Sequence, residues 1–149
     1  MGLGINLALE LPRDSSTVPL VRHLTKHALW EIGVKRACVA DVELAVTEAC
    51  ANVVEHAAGD DAYSVEVAVT PDVCEIRVID TGRGFDHESL EAKEPDGDAD
   101  RGRGIALMKV LVDTIDFRSE PERGTIVHLV KTLEFDGSKP PFVEAASER

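Results

Sequence analysis

Residues 5–11, Ile5-Asn6-Leu7-Ala8-Leu9-Glu10-Leu11, alternate between apolar and other side chains. A period of two predicts a strand. Pro12 and Asp14 end it, and Ser15, Ser16 and Thr17 offer N-cap side chains. Val18, Val21, Leu24, Ala28, Leu29 and Ile32 then recur at helical spacing, and Gly33 closes that helix. A second helix is predicted over about 40–57, with Val42, Ala45, Val46, Ala49 and Val53 as its apolar stripe. Residues 63–69 alternate again, Pro71-Asp72 makes a tight turn, and residues 73–79 alternate in turn. Val73, Glu75, Arg77 and Ile79 fall on one side of that strand, Cys74, Ile76 and Val78 on the other. Residues 80–100 are polar and loop-like, a length that in a compact domain marks function or disorder. An apolar helix follows Gly104, from Ile105 to Val112. Two more strands, 114–118 and 125–133, flank a turn over 120–124.

The order is therefore β, α, α, β, β, loop, α, β, β. Strands that follow one another as hairpins, with helices grouped apart, predict an α+β two-layer sandwich. Its sheet is expected to be mixed but mostly antiparallel, with the helices on one face. The chain divides into one domain over residues 1–135 and a polar, mobile tail over 136–149 that carries Pro140 and Pro141. No internal repeat is visible.

Composition narrows the function. The net charge of -12 over 149 residues argues against a binder of nucleic-acid backbone, which needs clustered Lys and Arg. Acid is concentrated over 88–100 and at the chain end. The three cysteines, Cys38, Cys50 and Cys74, lack the spacing of a metal knuckle and read as buried reduced thiols. No signal-peptide layout and no bilayer-length apolar run is present, which predicts a cytoplasmic protein that does not engage a membrane.

Four short features carry candidate chemistry. Glu48 and Asn52 stand four apart on the second helix and share a face beside its apolar stripe. An amide oxygen suits a hard cation such as Mg²⁺, and a carboxylate in reach of a hydroxyl suits a general base. Alone, the pair also fits ordinary solvated helix positions. Asp80-Thr81-Gly82-Arg83-Gly84 follows a buried-looking strand. Alternate glycines admit a flat ligand close to the backbone, and Asp80 is placed to accept from an exocyclic amine such as that of adenine. A strand-ending turn explains the same residues. Arg101-Gly102-Arg103-Gly104 is expected to open a helix, whose free N–H groups and positive end suit phosphate. A flexible linker running into a helix is the alternative, and neither a P-loop nor a Rossmann fingerprint is present. Gly124-Thr125 starts the last strand, and Thr125 is placed to bond near Asp80 if the two strands are neighbours. A β-branched residue starting a strand explains it equally well. His56 reads as a helix-end histidine and Trp30 as a core or interface residue.

Taken in order, these features resemble the GHKL superfamily, the ATPase fold (Bergerat-type) shared by gyrase, the heat-shock-ninety chaperones, histidine kinases and mismatch-repair ATPases. The matching residues are Glu48-Ala49-Cys50-Ala51-Asn52, Asp80-Thr81-Gly82-Arg83-Gly84, Gly102-Arg103-Gly104-Ile105-Ala106-Leu107-Met108 and Gly124-Thr125. Within that superfamily the chain is similar to the small bacterial anti-sigma-factor serine-protein kinases, with the same leading strand and helix. The resemblance implies ATP and Mg²⁺ as cofactors and Asn52 as the residue holding Mg²⁺ between the phosphates. It implies Glu48 as the residue that orients or deprotonates the attacking serine hydroxyl of a protein substrate. Asp80 would bind the adenine amine, Gly82 and Gly84 would make room for the base, and Thr125 would support it. Gly102 and Gly104, with Ile105 following, would let the lid and helix start wrap the phosphates. Because acids repel phosphate, Arg101 or Arg103 is expected to face it, leaving the acidic run to a protein partner. The implied partners are an anti-anti-sigma protein as substrate, a sigma factor, and a second copy of the chain in a homodimer. Two other functions stay open on the sequence: a non-catalytic module whose ATP state controls docking, and a fold that has lost its nucleotide.

Overall fold

The computed structural model describes residues 4–56, 62–80, 99–120 and 124–136. Among them run strand β1 (Ile5–Pro12), helices α1 (Thr17–Glu31) and α2 (Arg36–His56), and strands β2 (Ala62–Val69) and β3 (Val73–Asp80). Helix α3 (Ala99–Leu111) and strands β4 (Thr114–Glu120) and β5 (Gly124–Thr132) complete the order. The sheet order is β1-β2-β3-β5-β4. All four pairings are antiparallel, so the parallel component expected of a mixed sheet is absent from the described residues.

Register places the alternating apolar residues in rows that run across the strands. Leu7, Val67, Ile76, Leu129 and Ile115 are successive cross-strand partners, as are Leu9, Val65, Val78, Val127 and Phe117. Side chains alternate faces along a strand, so one antiparallel register puts every one of these residues on one face. The helices cover that face, where Val65, Val67, Val78, Val127 and Leu129 are buried with Val42, Ala45, Val46, Ala49 and Val53 of α2. Each fully buried Val or Leu contributes roughly 1.5–3 kcal/mol by leaving water. The opposite face carries Glu66, Glu75, Arg77, His128 and Asp116, which fits the polar half of the alternation.

Two boundaries and one buried position differ from the sequence reading. Helix α2 begins at Arg36, earlier than the apolar stripe announces, because its first turn packs Cys38 and Val39 into the core. Leu24 of α1 is exposed and Thr25 is buried instead. Successive residues turn by about 100°, and Val21, Thr25 and Leu29 define a line from which Leu24 is displaced by roughly a quarter-turn. Helix α3 begins at Ala99, so Gly102-Arg103-Gly104 does not open it. Its glycines lie inside the helix, and the free N–H groups of the first turn precede them.

Among the described residues Gly33 (89°) and Gly124 (97°) have positive φ, a region that side chains other than glycine avoid. After β5 the chain returns to the α1–α2 junction. Val34 bridges Phe135, and the Asp136 N–H donates to Gly33 O at 2.6 Å. Residues 137–149, most of the expected tail, lie outside the described residues.

Candidate nucleotide-binding site

At one end of the sheet a row of partners runs Leu11, Tyr63, Asp80 and Thr125 across β1, β2, β3 and β5. The sequence left open whether Asp80 and Thr125 meet; here they are register partners at the end of β3 and the start of β5. Both are buried, and both project to the helix-covered face. Gly124 makes the turn that starts β5 at this position. The row explains why a carboxylate is tolerated there: it is the last position of a strand whose other inward residues are Cys74, Ile76 and Val78.

Burying a carboxylate requires a partner, and the partner is one that sequence reasoning missed. Arg13 Nη2 donates to Asp80 Oδ1 at 2.5 Å, with the Asp80 side chain 0% and the Arg13 side chain 10% exposed. Arg13 stands in the polar turn between β1 and α1, where nothing in spacing or composition separates it from a solvated turn residue. Only the pairing of β1 with β2, and of β2 with β3, brings it across to the end of β3. The turn is pinned. Thr17 N–H and Oγ1 both donate to Asp14 O, at 2.9 and 2.7 Å, and Thr17 Oγ1 shares a hydrogen bond of 2.7 Å with Tyr63 Oη. Burial pushes the Tyr63 phenol up to about 12, against the opposing pull of the Thr17 hydroxyl. Beside it, burial pushes the Cys50 thiol up to about 12 as well.

The second group lies on the helices. Glu48 and Asn52 are both half-buried, one turn apart on α2, beside the fully buried Ala49 and Val53. Gly104 of α3 is buried directly against them. A Cβ added there would stand 2.7 Å from Glu48 Oε1 and 3.9 Å from Asn52 Nδ2. The absence of a side chain at residue 104 is what lets α3 approach the carboxylate. Met108, wholly buried, and Ile105, packed on the core, hold the rest of the helix down. At its far end Lys131 Nζ donates to Leu111 O at 2.9 Å and to Asp41 Oδ2 of α2 at 3.2 Å, tying the two helices together.

The structure thus gathers Glu48, Asn52 and Gly104 in one group and Asp80 and Thr125 in another, with Ile105 serving the core. Gly82 and Gly84 lie outside the described residues, as does the acidic run up to residue 98. Arg101, Gly102 and Arg103 belong to the first turns of α3, with only their backbone described; the side chain of His56 lies outside the description too. Trp30 is half-buried, with the Arg36 guanidinium 5.1 Å from its ring centroid. The three cysteines are free and buried. Among the described residues no helix is long and apolar enough to cross a membrane, and no group of three or more His, Cys, Asp and Glu is placed to hold a metal ion.

The site thus sets a buried carboxylate beside a buried hydroxyl at one end of the sheet, and an acid–amide pair beside a glycine of the next helix. The family model of the histidine kinase-like ATPase domain matches residues 11–131. The chain belongs to this family. Among curated proteins, this histidine kinase-like ATPase domain is 29% identical over 138 residues to the serine-protein kinase RsbW of Bacillus velezensis, covering 85% of each chain. It is 26% identical over 139 residues to RsbW of Halalkalibacterium halodurans, covering 87% of this chain and 85% of the relative. Among solved structures, the RsbU and RsbW domains of Rv1364c from Mycobacterium tuberculosis share its fold with a TM-score of 0.67 at 23% identity. That match covers 87% of this chain and 32% of the other. The histidine kinase domain of the Erythrobacter litoralis blue-light activated kinase EL346 matches at a TM-score of 0.52 and 15% identity, covering 91% and 66%.

Proposed function

We propose that this ATPase-family domain is an ATP-dependent serine/threonine protein kinase that acts as an anti-sigma factor. Its substrate is a serine of an anti-anti-sigma protein, and its second partner is a sigma factor. The observation that carries the reading is the placement of Gly104 beside Glu48 and Asn52, which sets a carboxylate and an amide against a glycine-bearing helix. The similarity to two serine-protein kinases over most of the chain supports it.

When bound, Mg-ATP supplies the phosphoryl group and the charge that holds it in place. The donor set fits: the Asn52 amide oxygen is a hard ligand, and Mg²⁺ takes few protein ligands beside phosphates and water. Phosphoryl transfer asks a protein mainly for positioning and charge balance. Glu48 orients and deprotonates the serine hydroxyl. Asp80 accepts from the adenine amine, Thr125 supports the base through its hydroxyl, and Gly82 and Gly84 leave room for it. Arg101 and Arg103, with Gly102, Gly104 and Ile105, form the phosphate side, and the acidic run before them faces a protein partner. The kinase works as a homodimer in the cytoplasm.

Incubation with Mg-ATP and the cognate anti-anti-sigma protein is expected to give phosphoserine, and Glu48→Gln is expected to abolish it while ATP still binds. Wild-type-level phosphorylation by the variant would remove Glu48 from the role. If ATP changes partner capture but no phosphoserine forms, the domain is a nucleotide-controlled docking module instead.

A further inference from the structure

We infer that Arg13 sets the base specificity of the site, by fixing Asp80 in the orientation that accepts a 6-aminopurine and refuses a 6-oxopurine. The inference rests on the reading of Asp80 as the acceptor of the base amine.

Three observations carry it. The Arg13 guanidinium is almost wholly buried and meets the wholly buried Asp80 carboxylate at 2.5 Å. Buried ion pairs add little net stability relative to apolar residues of the same volume, so stability alone does not account for one here. The turn that holds Arg13 is itself fixed on both sides: Pro12 pairs with Ala62, and Thr17 is bonded to Tyr63, the residue opposite Asp80. The guanidinium is therefore set by the same strand register that sets the carboxylate.

The chemistry follows from hydrogen-bond capacity. An ionised carboxylate accepts about four hydrogen bonds and donates none. Accepting from Arg13 leaves capacity for the 6-amino group of adenine. A 6-oxo group presents lone pairs to the same oxygens and is repelled. With Arg13 removed, the orientation that the guanidinium imposes on the carboxylate is lost, and with it the alignment on which both the attraction and the repulsion depend. Arg13 acts through Asp80 and is a positioning residue.

The test titrates the full chain, with Mg²⁺, against ATP and against ITP for wild type, Arg13→Lys and Arg13→Ala, with circular dichroism to check folding. In Arg13→Ala the ATP affinity is expected to fall more than the ITP affinity, lowering the ATP-to-ITP ratio about tenfold, the size of one charge-assisted hydrogen bond. Arg13→Lys keeps the charge but not the planar fork, and its ratio is expected to fall between the two. A merely structural Arg13 would weaken both nucleotides by the same factor. A wild-type ratio in Arg13→Ala, or in Arg13→Lys should Arg13→Ala not fold, overturns the role of Arg13 and leaves the nucleotide reading standing. A wild type that binds neither nucleotide overturns both.

Discussion

The two ends of the candidate site are built by different physics. Asp80, Thr125 and Arg13 form a buried group fixed by strand register and an ion pair. Glu48, Asn52 and Gly104 form a half-buried group fixed by the packing of two helices, with the space of one absent side chain between them. The first is rigid because moving it means breaking a sheet. The second adjusts, since the atom nearest Gly104 is the far end of a flexible glutamate. A site that holds a base and hands on a phosphoryl group needs this division. One end must discriminate, and the other must admit a second substrate and let it go.

That difference predicts how each end fails. Asp80→Ala should do most damage, because it leaves the Arg13 guanidinium buried without its carboxylate. Breaking a buried pair costs about 3–5 kcal/mol. Chemical denaturation should show that loss together with loss of ATP binding. Glu48→Gln should leave stability within about 0.5 kcal/mol, as for a half-buried residue without a structural role. It should lower phosphoryl transfer by roughly 10²–10⁴-fold, the usual worth of a general base. If Glu48→Gln unfolds the chain while Asp80→Ala does not, the contrast between the two ends is the wrong way round.

Alkali tests the buried core between and beneath the two groups without mutation. Burial raises the Cys50 thiol from 9.0 to about 12, against the lowering influence of Tyr63. It raises the Cys74 thiol from 9.0 to about 12, with like charge at Cys38 and Glu75 adding to it. Groups whose folded pKa is raised hold their protons more tightly when folded. The stability they give is present below pH 9.0 and is lost as pH rises toward about 12. The loss should be on the order of a few kcal/mol per thiol. Unfolding followed by circular dichroism should therefore move to lower denaturant above pH 9.0, with the thiols becoming reactive in the same range.

Gly104→Ala sharpens the comparison from the other side. Alanine is favoured over glycine inside a helix by roughly 1 kcal/mol, whereas its Cβ would come to 2.7 Å from Glu48 Oε1. The carboxylate should yield, leaving stability within about 1 kcal/mol of wild type but lowering transfer about tenfold, since misplacement of a positioned group is costly. Unchanged turnover would show that the Glu48 position is not set by α3. The smallest effect is expected of Thr125→Val, which keeps a β-branched residue at the start of β5. ATP affinity should fall by a few-fold, one neutral hydrogen bond, with stability almost unchanged.

Much of this was legible in the chain itself. The alternation in 5–11, 63–69 and 73–79 sets the inward faces of β1, β2 and β3, because a strand has only two sides. The stripe Val42, Ala45, Val46, Ala49 and Val53 is buried as read, and the order of Glu48, Asn52, Asp80, Gly104 and Thr125 carried the resemblance to the ATPase family. These are local or ordinal properties, and periodicity and spacing report them directly. Other features depended on contacts between residues far apart in sequence. Thr25 is buried in place of Leu24 because Val21, Thr25 and Leu29 form the line that α1 turns to the core. Helix α3 starts before its glycines, and Gly104 serves close approach to α2 and not a helix start. Thr125 stands opposite Asp80 because β5 inserts between β3 and β4, and a chain that visits its strands out of order leaves no local trace of that register. Arg13 is the clearest case: as a residue in the chain it is a polar turn beside a proline. It becomes the partner of Asp80, 67 positions away, only once three strands have paired.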